Sequence, residues 1–209
     1  MKRFGLHLAA LVAMLGSAQV ASAQNIDRAF QLGLGTNFLQ YTSGSIDTDA
    51  YDADVSQTTW GISDHGGIQL EGGYALNDSL VLGGIVALGG QTVSIDDSDQ
   101  DVFQLVLAPK LDYMFLSGER FRPFVGGAIG LVSTSQEVNG GAKLSETGLG
   151  LMARGGGRWF LAPGFSLDPA LNLGFQTLSG EIDGGAVDMD ASMTAFTVGL
   201  SIGLSGWVR

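Results

Sequence analysis

Hydrophobic residues recur at every second position in eight stretches of this chain. In FSLDPALNLGFQTL, Phe165, Leu167, Pro169, Leu171, Leu173 and Phe175 share one face, while Ser166, Asp168, Asn172 and Gln176 share the other. That period predicts a strand with one apolar and one polar side. FQLGLGTNFLQY repeats it with Phe30, Leu32, Leu34 and Phe38, and GGIQLEGGYAL with Ile68, Leu70, Tyr74 and Leu76. SLVLGGIVALGG adds Leu80, Leu82, Val86 and Leu88. VFQLVLAPKLDYMF adds Phe103, Leu105, Leu107, Leu111, Tyr113 and Phe115. FRPFVGGAIGLV, TGLGLMARGGGRWF and MTAFTVGLSIGL complete the set, the last with Phe196, Val198, Leu200, Ile202 and Leu204.

The connections predict how these strands are joined. Leu76–Ser79, Leu116–Arg120 and Leu161–Gly164 are short and rich in the residues that tight turns favour. The other four, residues 42–66, 90–101, 133–146 and 179–190, lack strand periodicity and read as long loops. They hold fifteen Asp and Glu against one Lys, a charge of −14. An even number of strands of roughly ten residues, with short turns at one end and long loops at the other, predicts an up-and-down transmembrane barrel. The fold class expected is all-β: eight antiparallel strands closed into a barrel, with the Phe and Leu face turned outward to lipid.

Two further patterns agree with that reversal. Tyr74, Tyr113, Phe115, Phe121, Trp159 and Phe165 lie at the short-turn ends of strands, and Phe38, Phe103, Phe175 and Phe196 at the long-loop ends. Two interfacial aromatic girdles are expected of a spanning barrel. The opposite face carries Glu71, Lys110, Asp112, Arg122, Arg154, Arg158 and Asp168, which would be intolerable in lipid. Pairing about the turn near Leu161 sets Arg158 opposite Asp168 and Arg154 opposite Asn172, and Asp112 and Arg122 fall within about one diagonal. Glycines fill most remaining inward positions, as a narrow eight-stranded lumen requires. Pro109, Pro123 and Pro169 lie inside strands on the outward face, where local bulges are expected. The third stretch carries Val81 and Ile85 on its inward side.

Composition agrees with this picture. The chain is 45% hydrophobic and 15% charged, with 33 Gly, no Cys and a mean hydropathy of +0.25. Lys2 and Arg3 precede an apolar run to Leu15, and Ala21-Ser22-Ala23 fits a cleavage site, so residues 1–23 read as a signal peptide and 24–209 as one barrel domain. Without Lys2 and Arg3 the formal charge of −11 becomes −13, which argues against nucleic acid as a partner.

RPFVGGAIGL and the closing FTVGLSIGL resemble segments of the small eight-stranded outer-membrane barrels of Gram-negative bacteria, the OmpA transmembrane domain and the OmpX-like group. The resemblance covers the whole mature chain. It implies an outer-membrane location, insertion by the barrel-assembly machinery, contact with membrane lipid and lipopolysaccharide, an interior salt-bridge network and no cofactor. A monomer is expected. Such barrels usually end in an aromatic, whereas this one ends Gly206-Trp207-Val208-Arg209.

Catalytic and metal motifs are weak. His65, beside Ser63 and Asp64, lacks the spacing of barrel deacylases and reads as a solvated loop histidine. Asp97, Asp99 and Asp101 resemble the start of a calcium loop, but Val102 and Ala108 stand where its glycine and bidentate Glu belong. The leading expectation is a non-enzymatic structural and surface-interaction protein with a side-chain-filled lumen and acidic loops that meet an extracellular ligand. The alternatives are a small channel for ions or small, apolar solutes, then a lipid-modifying enzyme. A soluble ligand-binding barrel competes at the level of fold.

Overall fold

The computed structural model describes residues 26–48, 52–60, 67–95, 98–115, 120–138, 142–183 and 189–209. Every regular element among them is a strand: β1 (Phe30–Thr48), β2 (Asp52–Trp60), β3 (Ile68–Ala75), β4 (Leu80–Ile95), β5 (Ser98–Met114), β6 (Phe121–Val138), β7 (Ala142–Ala162), β8 (Phe165–Asp183) and β9 (Met189–Val208). Consecutive strands pair antiparallel from β3 to β9, and β1 closes the ring by pairing with both β3 and β9. β2 and β3 follow each other along the same edge of β1, so nine segments fill eight places in the wall. Seven residues separate Trp60 from Ile68, opposite only two between Thr36 and Leu39 on β1. Among the described residues β2 pairs only with β1, and Gly89–Ile95 of β4 pairs only with β5.

The wall is much taller than ten-residue strands would make it. β1 and β4 to β9 run 16 to 21 residues each. The segments expected to be long acidic loops are therefore largely strand. β6 continues to Val138 and β7 resumes at Ala142, while β8 reaches Asp183 and β9 starts at Met189. A strand crosses the hydrocarbon in about 9–11 residues. The remainder of each strand stands above the bilayer as a second storey of the same barrel.

Side-chain direction follows the alternation. Phe30, Leu32, Leu82, Leu107, Tyr113, Ile129, Leu151, Trp159, Leu171 and Phe196 are exposed on the outer surface, whereas Val81 and Ile85 are buried inside. The prolines cause no bulge. The β5–β6 register is unchanged on either side of Pro109, and the β7–β8 register on either side of Pro169, with only rungs missing from the ladder. Register shifts fall elsewhere, between Phe160 and Ala162 on β7 beside the short turn, and at Phe38 on β1 between Asn37 and Leu39. The shift on β1 turns both Asn37 and Gln40 inward, where the Asn37 amide donates to Gln40 Oε1 at 3.2 Å.

The short turns are built locally. Asn77 Oδ1 accepts from the backbone N–H groups of Ser79 and Leu80 at 2.8 and 2.9 Å. Gly164 adopts φ +72°, which only glycine takes without strain. Beneath this end a compact apolar cluster of Ile26, Ala29, Ala75, Val81, Met114, Phe124, Phe160, Ala170 and Trp207 fills the barrel mouth. Residues 26–29 reach across it, with the Arg28 N–H donating to Ala75 O at 2.9 Å and Ile26 N–H to Asp78 Oδ1 at 3.1 Å.

Candidate functional site

Above that apolar stopper lies a layer of six charges, three carboxylates and three cations. Lys110 and Asp112 come from β5, Arg154 and Arg158 from β7, Glu71 from β3 and Asp168 from β8. Glu71 receives Lys110 Nζ and both terminal nitrogens of Arg154, the latter at 2.7 and 3.1 Å. Asp112 Oδ2 takes Arg158 at 2.7 Å, Arg154 at 3.0 Å and Lys110 at 3.4 Å. Asp168 Oδ2 accepts from Ser205 at 2.6 Å and lies 3.8 Å from Arg158 Nε. Gln31 closes the circuit, accepting from Lys110 Nζ at 3.1 Å and donating to Ser205 at 3.0 Å. The Phe124 ring faces Arg154 and Arg158 at 5.0 and 4.9 Å, and Trp207 faces Arg158 at 5.0 Å. Charges removed from water are tolerable only when paired and hydrogen-bonded in this way.

The side chains of Lys110, Asp112 and Arg158 have no solvent exposure. Gly126 makes this density attainable, since a Cβ there would meet Asp112 Oδ1 at 2.2 Å. Arg158 lies beside Asp168 but is held mainly by Asp112. Arg122 differs from expectation. The β5–β6 register sets Asp112 opposite Gly126, two diagonals from Arg122, and Arg122 reaches instead to the turn, 3.2 Å from Asp78 O and 3.9 Å from its carboxylate.

The aromatics named for the two girdles face the outer surface. Phe38, Phe103, Tyr113, Phe115, Phe121, Trp159, Phe175 and Phe196 are exposed, and Tyr74 and Phe165 half-buried. Phe30 and Tyr41, both exposed, join them. Phe30 packs tilted against Tyr74 at 5.0 Å, and Tyr113 meets Phe115 and Phe121 meets Trp159 edge to face at 5.3 and 6.4 Å. Trp207 faces inward and donates to Ser166 at 3.2 Å. Sequence parity carries that signal, because the even positions Leu200, Ile202 and Leu204 point out. His65 and Asp97 lie outside the described residues, as do the side chains of Asp99 and Asp101. Among the described residues no three His, Cys, Asp or Glu side chains group as a metal site.

Above the charged layer the lumen opens into a chamber of about 200 Å³. Among the described residues its lining holds no ionisable group. Ile85, Val106, Ala108, Val132 and Met152 form an apolar wall, and Asn37, Gln40, Gln69, Gln104, Asn172 and Gln176 contribute amides. Asn172 donates to Ser201 at 2.8 Å and to Asn37 at 3.3 Å. Higher still, Leu178, Ala191 and Ala195 are buried inside, with Glu146 among the same inward positions. Burial pushes the Glu146 carboxyl above the usual carboxylate range.

A family model for the outer membrane protein beta-barrel domain matches residues 8–203. Among solved structures, the outer membrane protein AlkL in lipid bilayers is 14% identical with a TM-score of 0.58, the match covering 92% of this chain and 94% of AlkL. Neisserial surface protein A is 14% identical at TM-score 0.54, covering 85% and 96%, and OprG of Pseudomonas aeruginosa 17% identical at 0.51, covering 85% and 97%. No curated protein sequence matches. The filled ring of eight strand positions and the family match lead to one conclusion: the chain belongs to the outer membrane protein beta-barrel domain family, and its place is the Gram-negative outer membrane.

Proposed function

We propose that this barrel is a non-enzymatic surface protein whose lumen is closed at its periplasmic, short-turn end and open to ligands only from outside. The observation that carries this reading is the complete burial of Lys110, Asp112 and Arg158 above the apolar stopper. An ion entering from outside meets a charge-balanced, buried network, in which Asp112 Oδ1, Arg154 Nε, Arg158 Nε and Asp168 Oδ1 lack hydrogen-bond partners, and then a dry cluster. Eight strands leave an interior that side chains fill. The exposed acids Asp47, Asp54, Glu181 and Asp190 belong to the upper wall, where they face the medium beside lipopolysaccharide. Insertion by the assembly machinery, and action as a monomer, are part of the same reading.

The test is single-channel recording of the mature protein refolded into planar bilayers, with Arg158→Ala alongside. Protein shown to be folded by its resistance to unheated SDS is expected to give a silent bilayer in both forms. Discrete conductance steps from the wild type, changed in size or ion selectivity by Arg158→Ala, would replace this reading with that of a narrow channel.

A further inference from the structure

On the inner face above the charged layer nearly every described side chain is apolar, an amide or a hydroxyl. Gln40, Thr42, Gln104, Val106, Val132, Thr134, Gln136, Leu144, Gln176, Leu178, Met193, Ala195 and Thr197 all follow this rule by register. Glu146 alone departs from it. The residue is 5% exposed, and none of the described residues gives it a hydrogen bond or an ionic partner. Across from it stand Thr134 on β6 and Gly180 on β8, and Thr134 Oγ1 is itself buried without a partner. The neighbouring cation that could answer it, Lys143, is exposed on the outer surface, as is the like-charged Glu181.

A carboxyl buried without a cation is unfavourable in its charged form. Among the described residues nothing in the wall compensates it. Glu146 also stands one inward level above the Val132–Gly148 pair, and Val132 lines the chamber. Two residues along a strand span roughly 7 Å, which a glutamate side chain largely covers. Glu146 thus stands one inward level beyond the described lining of the chamber, within a side chain's reach of its upper rim.

We propose that the chamber binds a small organic cation, an ammonium carried on an apolar body, admitted from outside. The ammonium sits against Glu146, and the body lies along Val132, Met152, Ala108 and Ile85. The chamber's amides take whatever polar groups that body carries. The acidic outer wall raises the local concentration of cations at the rim. This goes beyond the closed-lumen reading and borrows from it only the direction of access. Conductance and binding are separate readouts, so either idea can fail alone.

The experiment uses the mature protein in lipid nanodiscs, titrated calorimetrically with benzyltrimethylammonium and separately with benzyl alcohol, against empty nanodiscs. Saturable binding of the cation is expected, with benzyl alcohol much weaker. Glu146→Gln is expected to lose roughly thirtyfold or more in affinity for the cation, the scale on which removing one partner of a buried charge pair acts. Ala128→Leu, which fills the chamber, is expected to lose binding as well. Because the probe is permanently charged, wild-type affinity should fall on acidification as Glu146 takes up its proton. That series stands on its own if a variant fails to fold. No saturable binding by the wild type overturns the proposal. So does benzyl alcohol binding as tightly as the cation, Glu146→Gln binding within twofold of wild type, or a flat profile between about pH 8 and about pH 4.

Discussion

The two storeys of this barrel are built from the same strands and obey opposite rules. In the lower one, β8 presents Leu171, Leu173 and Phe175 outward and Asp168 and Asn172 inward. A few residues higher the same strand presents Thr177, Ser179 and Glu181 outward and buries Leu178. β9 makes the same exchange, with Phe196 and Leu200 outward below, Ser192 and Thr194 outward above, and Ala191 and Ala195 inside. No register shift intervenes on either strand. What changes is the medium. Lipid covers the outside below, so polarity retreats to the lumen, while water covers the outside above, so apolar groups do. The point of exchange marks the membrane surface, at the ring drawn by Phe103, Phe175 and Phe196.

The sharpest break in the comparison is Arg158→Met. It leaves Asp112 and Asp168 short of a cation in a dry layer, and a loss of about 3–5 kcal/mol is expected in urea unfolding from lipid vesicles. An arginine scan along the outer face of β7 comes next. Leu151→Arg, in the apolar belt, should cost about 2–4 kcal/mol, and Thr147→Arg, four residues higher, no more than about 0.5 kcal/mol. Equal costs would mean that the belt does not end between them. Leu178→Ala tests whether the upper storey has a core of its own, with an expected cost of about 2 kcal/mol.

The smallest effect is expected from Glu146→Gln without ligand. Burial raises the folded-state pKa of Glu146 above its unfolded value of about 4.3, so its contribution is full below that value and is lost as pH rises through the folded pKa. The Gln variant has no such loss. It should be slightly more stable than wild type at neutral pH, and that advantage should vanish in acid. A variant less stable at neutral pH would mean that the carboxylate is stabilised in place.

The lower storey was legible because lipid enforces strict alternation. Phe30 to Leu34 or Leu200 to Leu204 can be read by eye, and parity alone puts Lys110, Arg154 and Asp168 inside. The upper storey was missed because water outside accepts almost anything short and polar. Its inward set, Leu144, Glu146, Gly148 or Leu178, Gly180, alternates too loosely to announce a strand, so acid-rich stretches read as loops. Partners within the charged layer were also hidden. Asp112 is answered by Lys110 on its own strand and by two arginines two strands away, across a lumen that neighbour-strand register does not describe. Asp78, which takes Arg122, lies in a turn.

That layer bears on how the barrel comes to exist. Its members sit on β1, β3, β5, β7, β8 and β9, and their contacts span the interior, so they form only when the sheet has curled shut. A half-built sheet lying in the bilayer would turn six charges toward hydrocarbon, at roughly 2–4 kcal/mol for each cation. Partial assemblies are thereby driven out of the membrane or onward to closure. The lumen acts as a checkpoint in biogenesis, one that a chain passes only with its first and last strands joined.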